Sequence, residues 1–219
     1  MKHVVVAIAA AVALSLLPGV AHAATSVEVA RGAPPCEPES RTARPMSKSA
    51  PATYRRAGAW TYGDSITFQS RQHLRRIVTV RTAVDAHWGR DTESAVDALA
   101  ADVRRHGAPP VVVMAVGTND LKDVRAFRAQ VVRTRQLLPR RTRLVWVDVY
   151  ADAVTGHDAA NRALRSVRGI EVLEWSRQNT RRLRDGRSRL LGDGIHVNAR
   201  GCEIRNDLIG TALTRAARR

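Results

Sequence analysis

The sequence predicts a three-layer α/β/α domain with a mainly parallel sheet, and three observations support this prediction. Short apolar runs alternate with helical patterns from about residue 54 onward in the 219-residue chain. The run 111–116 is apolar throughout, which is typical of a strand buried on both faces of a parallel sheet. Polar turn residues follow several of the predicted strands, where sheets of this class form their sites.

Hydrophobic period and turn residues place the elements in order along the chain. The predicted strands are 57–62, 77–80, 111–116, 144–149 and 170–175. The predicted helices are 66–76, 92–107, 121–138, 158–167 and 199–214. Thr92 and Asn198 are candidate N-caps of the second and the last helix. Pro139 ends the third helix.

The N-terminal 23 residues have the features of a cleaved secretory signal peptide. Lys2 supplies a positive start, residues 4–17 are apolar, and Ala21-His22-Ala23 is a small-x-small cleavage site. This stretch is shorter than the roughly 20 residues of a bilayer-spanning helix. Because nothing later approaches that length, the mature chain is expected to lack a transmembrane segment and to be secreted or held in the cell envelope. Residues 24–53, with five prolines, are predicted to form an arm or linker before the domain at 54–219.

The chain carries a formal net charge of +16, and all but three of its 36 basic residues are arginine. Arginine in such excess beside abundant alanine fits the codon bias of a GC-rich genome as much as phosphate binding. Aromatic residues make up only 4% of the chain, and no helix-turn-helix or zinc pattern is present, so no specific nucleic-acid partner is predicted. Association with anionic envelope polymers or lipid head groups remains compatible with the charge.

Three polar clusters together fit acyl transfer: Gly63-Asp64-Ser65, Gly117-Thr118-Asn119-Asp120 and Asp193-Gly194-Ile195-His196. A serine nucleophile needs a base, the base needs an orienting carboxylate, and the oxyanion needs preorganised donors. Ser65 lies at a predicted strand-to-helix turn, and His196 can serve as its base. Asp193 can reach the other ring nitrogen of that histidine, and Asn119 offers a side-chain NH₂ to the oxyanion.

In their order and chain position, these motifs resemble those of the SGNH, or GDSL, hydrolases over about residues 57–215. The blocks read Tyr62-Gly-Asp-Ser-Ile-Thr67, Trp88-Gly-Arg-Asp91, Gly117-Thr-Asn-Asp120 and Asp193-Gly-Ile-His196. The resemblance implies a flavodoxin-like sandwich and ester hydrolysis through an acyl-enzyme, without a metal or organic cofactor. It implies Ser65 as the nucleophile, His196 as the base and Asp193 as its partner. It also implies an oxyanion hole made by the Ser65 and Gly89 amides and by Asn119.

Several other residues receive predictions of their own. Trp88 flanks the proposed oxyanion glycine and is a candidate to line the substrate pocket. Asp64 and Asp120 are predicted to brace their turns. Asp148 is predicted to have a structural role in preference to a contact with substrate. Trp146 and Trp175 are predicted core residues on strands, and His73, His87, His106 and His157 lack metal-ligand spacing.

The two cysteines, Cys36 and Cys202, form an even pair in a chain predicted to reach an oxidising compartment. Cys36 lies in the proline-rich arm and Cys202 lies six residues after His196. A disulfide between them is predicted to pin the arm beside the catalytic loop.

Three functions remain open from the sequence. The first is a secreted serine esterase acting on a lipid, a small ester or an acylated glycan. The second is an acetyl esterase or O-acetyltransferase acting on cell-envelope glycan, since residues 172–210 resemble SGNH domains attached to envelope acetyltransferases. The third is a basic envelope-binding protein with a vestigial site, against which the intact Ser65, Asn119, Asp193 and His196 argue. The lack of long insertions after the strands favours a small acyl group.

Overall fold

A five-stranded, all-parallel sheet lies at the centre of the protein in the computed structural model, which describes residues 35–41, 54 and 56–217. The strands are β1 (Ala59–Gly63), β2 (Thr82–Ala86), β3 (Val111–Ala115), β4 (Arg143–Val147) and β5 (Ile170–Leu173). Their order across the sheet is β2-β1-β3-β4-β5. The chain therefore reverses direction across the sheet between β1 and β3, and such a switch point opens a crevice at the carboxyl ends of the strands.

Helices cover both faces of this sheet. They are α1 (Ser65–Ile77), α2 (Thr92–His106), α3 (Val124–Leu137), α4 (His157–Arg165), the short α5 (Trp175–Gln178) and α6 (Ala199–Ala217). Alternate β3 residues serve two cores: Val112 and Met114 pack with α2, α3 and α4, whereas Val111 and Val113 pack with α1 and α6. The predicted three-layer α/β/α architecture is confirmed.

The second strand is the element that the sequence placed wrongly. The apolar run 77–80 was predicted to be a strand, but α1 continues to Ile77 and β2 begins at Thr82. Strand β2 lies at the sheet edge and is only partly buried, so its sequence Thr-Ala-Val-Asp-Ala lacks the apolar signature of an inner strand. Val78 and Val80 still pack against the core, which explains their apolar character without a strand.

Two local details also differ from prediction. The N-cap of α2 is Asp91 and not Thr92, because the Asp91 carboxylate accepts the amide N–H of Ser94 at 2.7 Å. Trp175 is buried as predicted, but it begins helix α5 and does not end β5. The predicted cap of the last helix is confirmed, since the Asn198 side chain accepts the Gly201 amide N–H at 3.0 Å.

The predicted disulfide between Cys36 and Cys202 is present, with 6.0 Å between the two Cα atoms. It attaches residues 35–41 to the first turn of α6. The same segment lies against α1, where the Glu39 amide donates to the Gln69 carbonyl at 2.9 Å and the Glu39 carboxylate pairs with Arg71 at 2.6 Å. The signal peptide at 1–23 and most of the arm at 24–53 lie outside the described residues. Within the described ranges, no helix combines the length and apolar character needed to cross a bilayer.

Candidate active site

Ser65 is the first residue of α1, directly after the carboxyl end of β1. Asp64 caps this helix by accepting the Ile66 amide N–H at 3.1 Å, as predicted. Gly63 has to be a glycine because a Cβ there would overlap the side chain of Thr67, where strand and helix meet most closely. The turn therefore holds the Ser65 hydroxyl at the carboxyl edge of the sheet and at the positive end of α1.

His196 lies on a loop, residues 190–198, that is closed by its own backbone. The Gly192 amide donates to the His196 carbonyl at 2.8 Å, and the Asn198 amide donates to the Leu190 carbonyl at 3.0 Å. Helix α6 packs so closely beneath the loop that a Cβ on Gly201 would overlap the Leu190 carbonyl. We call residues 190–198 the His196 loop. Its backbone bonds and its packing fix the histidine relative to the sheet.

Ser65, His196 and Asp193 form one hydrogen-bonded chain. The His196 Nε2 atom lies 3.0 Å from Ser65 Oγ, and its Nδ1 atom lies 2.7 Å from Asp193 Oδ2. A carboxylate only accepts hydrogen bonds, so Nδ1 carries the proton and Nε2 offers its lone pair to the serine hydroxyl. This tautomer is the one that a general base acting on a serine requires.

The Asp193 carboxylate is itself anchored. Its Oδ1 atom accepts the amide N–H of Ile195 at 2.9 Å and that of His196 at 2.7 Å. Desolvation by burial raises the pKa of Asp193, but the hydrogen bonds from the His196 ring and from these two amides outweigh it and lower the pKa to about 2. The orienting group therefore stays ionised in all but strongly acidic solution.

We expect the Asp193 carboxyl to titrate near pH 2 in the wild-type protein, and its pKa to rise part of the way towards 3.8 in His196→Ala. The depressed pKa means that the carboxylate stabilises the folded loop above about pH 4, and that this contribution is lost as the pH falls towards 2. NMR titration of the labelled carboxyl carbon measures both values. Equal pKa values in the two proteins would contradict the proposed contact.

Asn119 and Gly89, the two other predicted oxyanion donors, lie on adjoining loops. The Asn119 side-chain NH₂ donates to the carbonyl of Arg90, the residue after Gly89, at 2.9 Å. Arg90 is held in turn by Asp85 at the end of β2, with its guanidinium donating to the Asp85 carbonyl and carboxylate, both at 3.1 Å. Gly89 has a φ of +71° and is exposed at this turn. The Asp85–Arg90 pair thus positions both loops, a role that the sequence did not reveal.

Trp88 packs directly on the catalytic histidine candidate. Its ring stacks on the His196 ring at 4.8 Å between centroids, and it meets Phe68 edge-on at 6.2 Å. Trp88 thus lies against the His196 ring, and its role in lining a substrate pocket stays a prediction. Trp88 and Gly89 also line a cleft of about 710 Å³ that runs between the β2–α2 loop and α2.

Other predicted residues have structural contacts. Asp120 was expected to brace its own turn, but its carboxylate instead reaches α2 and accepts the Thr92 amide and hydroxyl at 2.9 and 2.6 Å. Asp148 is buried and binds the Ser176 amide and hydroxyl, each at 2.6 Å, and Arg165 at 2.7 Å. Burial raises the pKa of Asp148, and these partners lower it only in part. Its contacts account for it as a structural residue.

Possible metal ligands meet at a different place in the described part of the chain. Ligand atoms of Cys36, His73 and Cys202 lie within 4.8 Å of one another, and all three residues are buried. Both sulfurs belong to the disulfide, so neither is available as the thiolate that binds a metal ion.

The sequence matches no protein-family profile and no curated protein. The structure, in contrast, resembles solved SGNH-type enzymes. The C-terminal catalytic domain of peptidoglycan O-acetyltransferase A from Streptococcus pneumoniae, solved with a methylsulfonyl adduct, superposes with a TM-score of 0.60 at 18% identity, covering 74% of this chain and 94% of that domain. A GDSL-like lipase from Bacteroides thetaiotaomicron gives 0.62 at 15% identity, covering 78% and 93%. A family 3 carbohydrate esterase from Clostridium thermocellum gives 0.52 at 17% identity, covering 71% and 97%.

These likenesses establish the fold. The chain has the three-layer fold of the SGNH/GDSL hydrolases, and the resemblance seen in the sequence motifs is confirmed at that level.

Proposed function

We propose that this protein is a secreted serine esterase that hydrolyses carboxylic esters through an acyl-enzyme. The observation that supports this best is the hydrogen-bonded chain from Ser65 through His196 to Asp193, with 3.0 and 2.7 Å links, at the carboxyl edge of the sheet. Residues far apart in sequence meet there in the geometry of a nucleophile, a base and an orienting carboxylate. The disulfide fits an oxidising compartment outside the cytoplasm.

In the first half-reaction, Ser65 Oγ attacks the ester carbonyl carbon while its proton passes to His196 Nε2. Asp193 holds the imidazole and stabilises the imidazolium that forms. The negative charge on the carbonyl oxygen is received by the Ser65 and Gly89 amides and by the Asn119 side chain. When the tetrahedral intermediate collapses, the ester C–O bond breaks, and the alcohol leaves with the proton returned by His196.

In the second half-reaction, water replaces the alcohol. His196 Nε2 takes one proton from the water as its oxygen attacks the acyl carbon, and the same oxyanion donors stabilise the second intermediate. Collapse breaks the bond to Ser65 Oγ, and His196 returns the proton to the serine. The products are the carboxylic acid and free enzyme, and no cofactor enters either step.

Asn119 can keep its hydrogen bond to the protein when substrate binds. Its NH₂ group already donates to the Arg90 carbonyl at 2.9 Å, and one N–H remains for the oxyanion because the amide carries two donors. The contact with Arg90 therefore serves to orient the second N–H. We assign Asp85 and Arg90 as positioning residues for this reason.

A short acyl group suits the site. Loop 87–91 after β2 and loop 116–123 after β3 are compact, and Trp88 packs on the histidine at 4.8 Å between ring centroids. Such short loops offer little apolar wall for a long chain to bury against.

A second candidate function is acetyl transfer or acetyl-ester hydrolysis on cell-envelope glycan. It is favoured by the structural likeness to the peptidoglycan O-acetyltransferase domain, at a TM-score of 0.60. The same serine, histidine and aspartate would act, with a glycan hydroxyl in place of water as the acceptor in the transferase. The compact loops are equally suited to an acetyl group.

The test is hydrolysis of p-nitrophenyl esters from acetate to palmitate by the purified protein, beside a Ser65→Ala control of equal folding. We expect activity on short esters, loss of it in Ser65→Ala, and an acyl adduct on Ser65 by mass spectrometry of the quenched reaction. Acetylated glycan, assayed with and without an unacetylated acceptor, separates esterase from transferase. Equal inactivity of both proteins on every ester and on acetylated glycan would refute the enzyme proposal.

Replacing Asn119 by alanine is expected to lower kcat by about a hundred- to a thousand-fold, because one oxyanion donor is lost. KM should change little, since the donor acts mainly on charge that develops in the transition state. Steady-state kinetics on p-nitrophenyl acetate measure both parameters. A variant of Asn161, a buried side chain that instead holds the Val149 backbone at 2.8 Å, serves as a comparison for structural damage alone. A loss confined to KM would contradict the oxyanion role.

A further inference from the structure

Next to the His196 loop lies a short hairpin, residues 181–189, that is the most basic stretch of this edge of the protein. It contains five arginines and one aspartate in nine residues: Arg181, Arg182, Arg184, Asp185, Arg187 and Arg189. An antiparallel bridge joins Arg182 to Ser188, and the Leu183 amide donates to the Arg187 carbonyl at 2.7 Å. We call this segment the arginine hairpin.

The base of the arginine hairpin is fixed, while its tip is exposed. The Asp152 carboxylate accepts the Arg182 guanidinium and the Ser188 amide, both at 2.6 Å. Residues 181–187 are all exposed, and Gly186, with a φ of +83°, makes the tight turn. The hairpin therefore presents its charges on a rigid support and not on a loose loop.

Much of this positive charge is not neutralised by the protein. Arg182 pairs with Asp152 and Arg187 pairs with Asp185. Within residues 56–217, Arg181, Arg184 and Arg189 make no ion pair, although the Arg189 guanidinium donates to the Arg182 carbonyl at 3.0 Å. Three exposed guanidinium groups thus remain for an anionic partner.

An apolar side chain lies among these charges. Leu183 is 42% exposed, and the other large hydrophobic side chains among the described residues are buried or partly buried. A soluble polyanion would gain little from this leucine. A bilayer interface accommodates both features, since guanidinium groups bind lipid phosphates while the leucine enters the acyl boundary.

We propose that the arginine hairpin docks the protein on an anionic lipid bilayer, with Leu183 inserted and Arg181, Arg184 and Arg189 on the head groups. Residue Asp152 also connects the arginine hairpin to the active site. The amides of Asp152 and Ala153 donate to the Gly194 carbonyl of the His196 loop at 2.7 and 3.1 Å. The docked hairpin therefore holds the site close to the membrane, where esters of short acyl groups at the bilayer surface are the substrates within reach. This last step rests on the proposed esterase function, but the docking does not.

The docking test is co-sedimentation of the purified Ser65→Ala protein with vesicles containing phosphatidylglycerol, beside vesicles of phosphatidylcholine alone. We expect binding only to the anionic vesicles, with weakening as salt is added. Arg181→Gln with Arg184→Gln should weaken binding about twenty-fold or more. Leu183→Ser should weaken it several-fold through loss of the inserted side chain.

The matched control is Arg140→Gln with Arg141→Gln. It removes the same charge from an exposed pair that lies just before β4, at the amino ends of the strands and away from the active site. It should bind nearly as the parent protein does. Equal weakening by the two double variants would overturn the hairpin as the docking site. Wild-type binding by Leu183→Ser, together with full competition by soluble polyglutamate, would assign the surface to polyanions and overturn the bilayer proposal.

In the active protein, the hairpin variants should lose hydrolysis of an acetyl ester carried on a lipid anchor in the vesicle, while they retain hydrolysis of p-nitrophenyl acetate. This readout distinguishes the two proposals. Loss of vesicle binding in a protein that is inactive on every ester leaves docking supported and the esterase function refuted. Activity on soluble esters without hairpin-dependent vesicle binding supports the esterase function and refutes the docking.

Discussion

Replacing His196 by alanine is expected to lower kcat for ester hydrolysis by roughly 10⁵- to 10⁶-fold, an effect comparable to loss of the Ser65 nucleophile. In the proposed mechanism the histidine is the base. Its Nε2 atom lies 3.0 Å from the Ser65 hydroxyl, and among the described residues no second base makes a hydrogen bond with that hydroxyl. The residual rate should come from the oxyanion donors and from substrate binding. Steady-state assays on p-nitrophenyl acetate, with end-point measurements for the slow variant, give kcat.

His87→Ala is the matched control for this substitution. His87 also pairs with an aspartate, Asp85, at 2.6 Å, and it lies on the loop next to Trp88, but its ring is half exposed and no serine completes the chain. We expect kcat close to the wild-type value in this control. A comparable loss in both variants would show that a histidine–aspartate pair on these loops matters for structure and not for proton transfer.

Removal of the disulfide by Cys36→Ala with Cys202→Ala is expected to lower the free energy of unfolding by about 5 kcal/mol. The two cysteines are 166 residues apart in sequence, so their bond closes a loop around the entire sheet and restricts the unfolded chain strongly. The Glu39–Arg71 ion pair at 2.6 Å remains in the variant and keeps residues 35–41 near α1. The folded state therefore loses little structure when the disulfide is removed. Urea unfolding followed by circular dichroism measures the difference.

A reducing agent provides the control for this prediction. It should destabilise the wild-type protein by a similar amount and leave the double alanine variant unchanged. Neither cysteine belongs to the hydrogen-bonded chain of Ser65, His196 and Asp193, so esterase activity should persist in the absence of denaturant. Equal unfolding free energies for the oxidised wild type and the double variant would show that the bond contributes nothing to stability.

The fold class could be predicted from the sequence because its signals are local. The apolar run at β3 and the alternation of helices and strands depend on neighbouring residues alone, and both are observed. Strand β2 escaped prediction because an edge strand is covered on fewer sides and needs no continuous apolar run. The apolar run at 77–80 seemed the better strand, although its residues extend α1 and cover the core beside it.

The chemical types of the site residues could likewise be predicted from the sequence, because they lie in short motifs. Ser65, Asn119, Asp193 and His196 each follow a strand or precede a helix, and the resemblance to SGNH hydrolases implies a role for each of them from the motifs alone. The cap at Asn198 and the even cysteine pair belong to the same class of short-range signal. Composition also identified the excess of arginine but gave it no location.

Tertiary packing decided the distances and the supports. Ser65 and His196 are 131 residues apart in sequence, and only the order of strands in the sheet brings them within 3.0 Å. Separate loops are joined by the Asp85–Arg90 pair behind Asn119 and by the Asp152 contacts beneath the His196 loop. Because these contacts join different loops, no spacing in the sequence predicts them. Motifs record which groups a reaction needs because chemistry constrains residue type locally. Placement depends on how buried surfaces fit together across the whole chain, and that fit exists only in the folded protein.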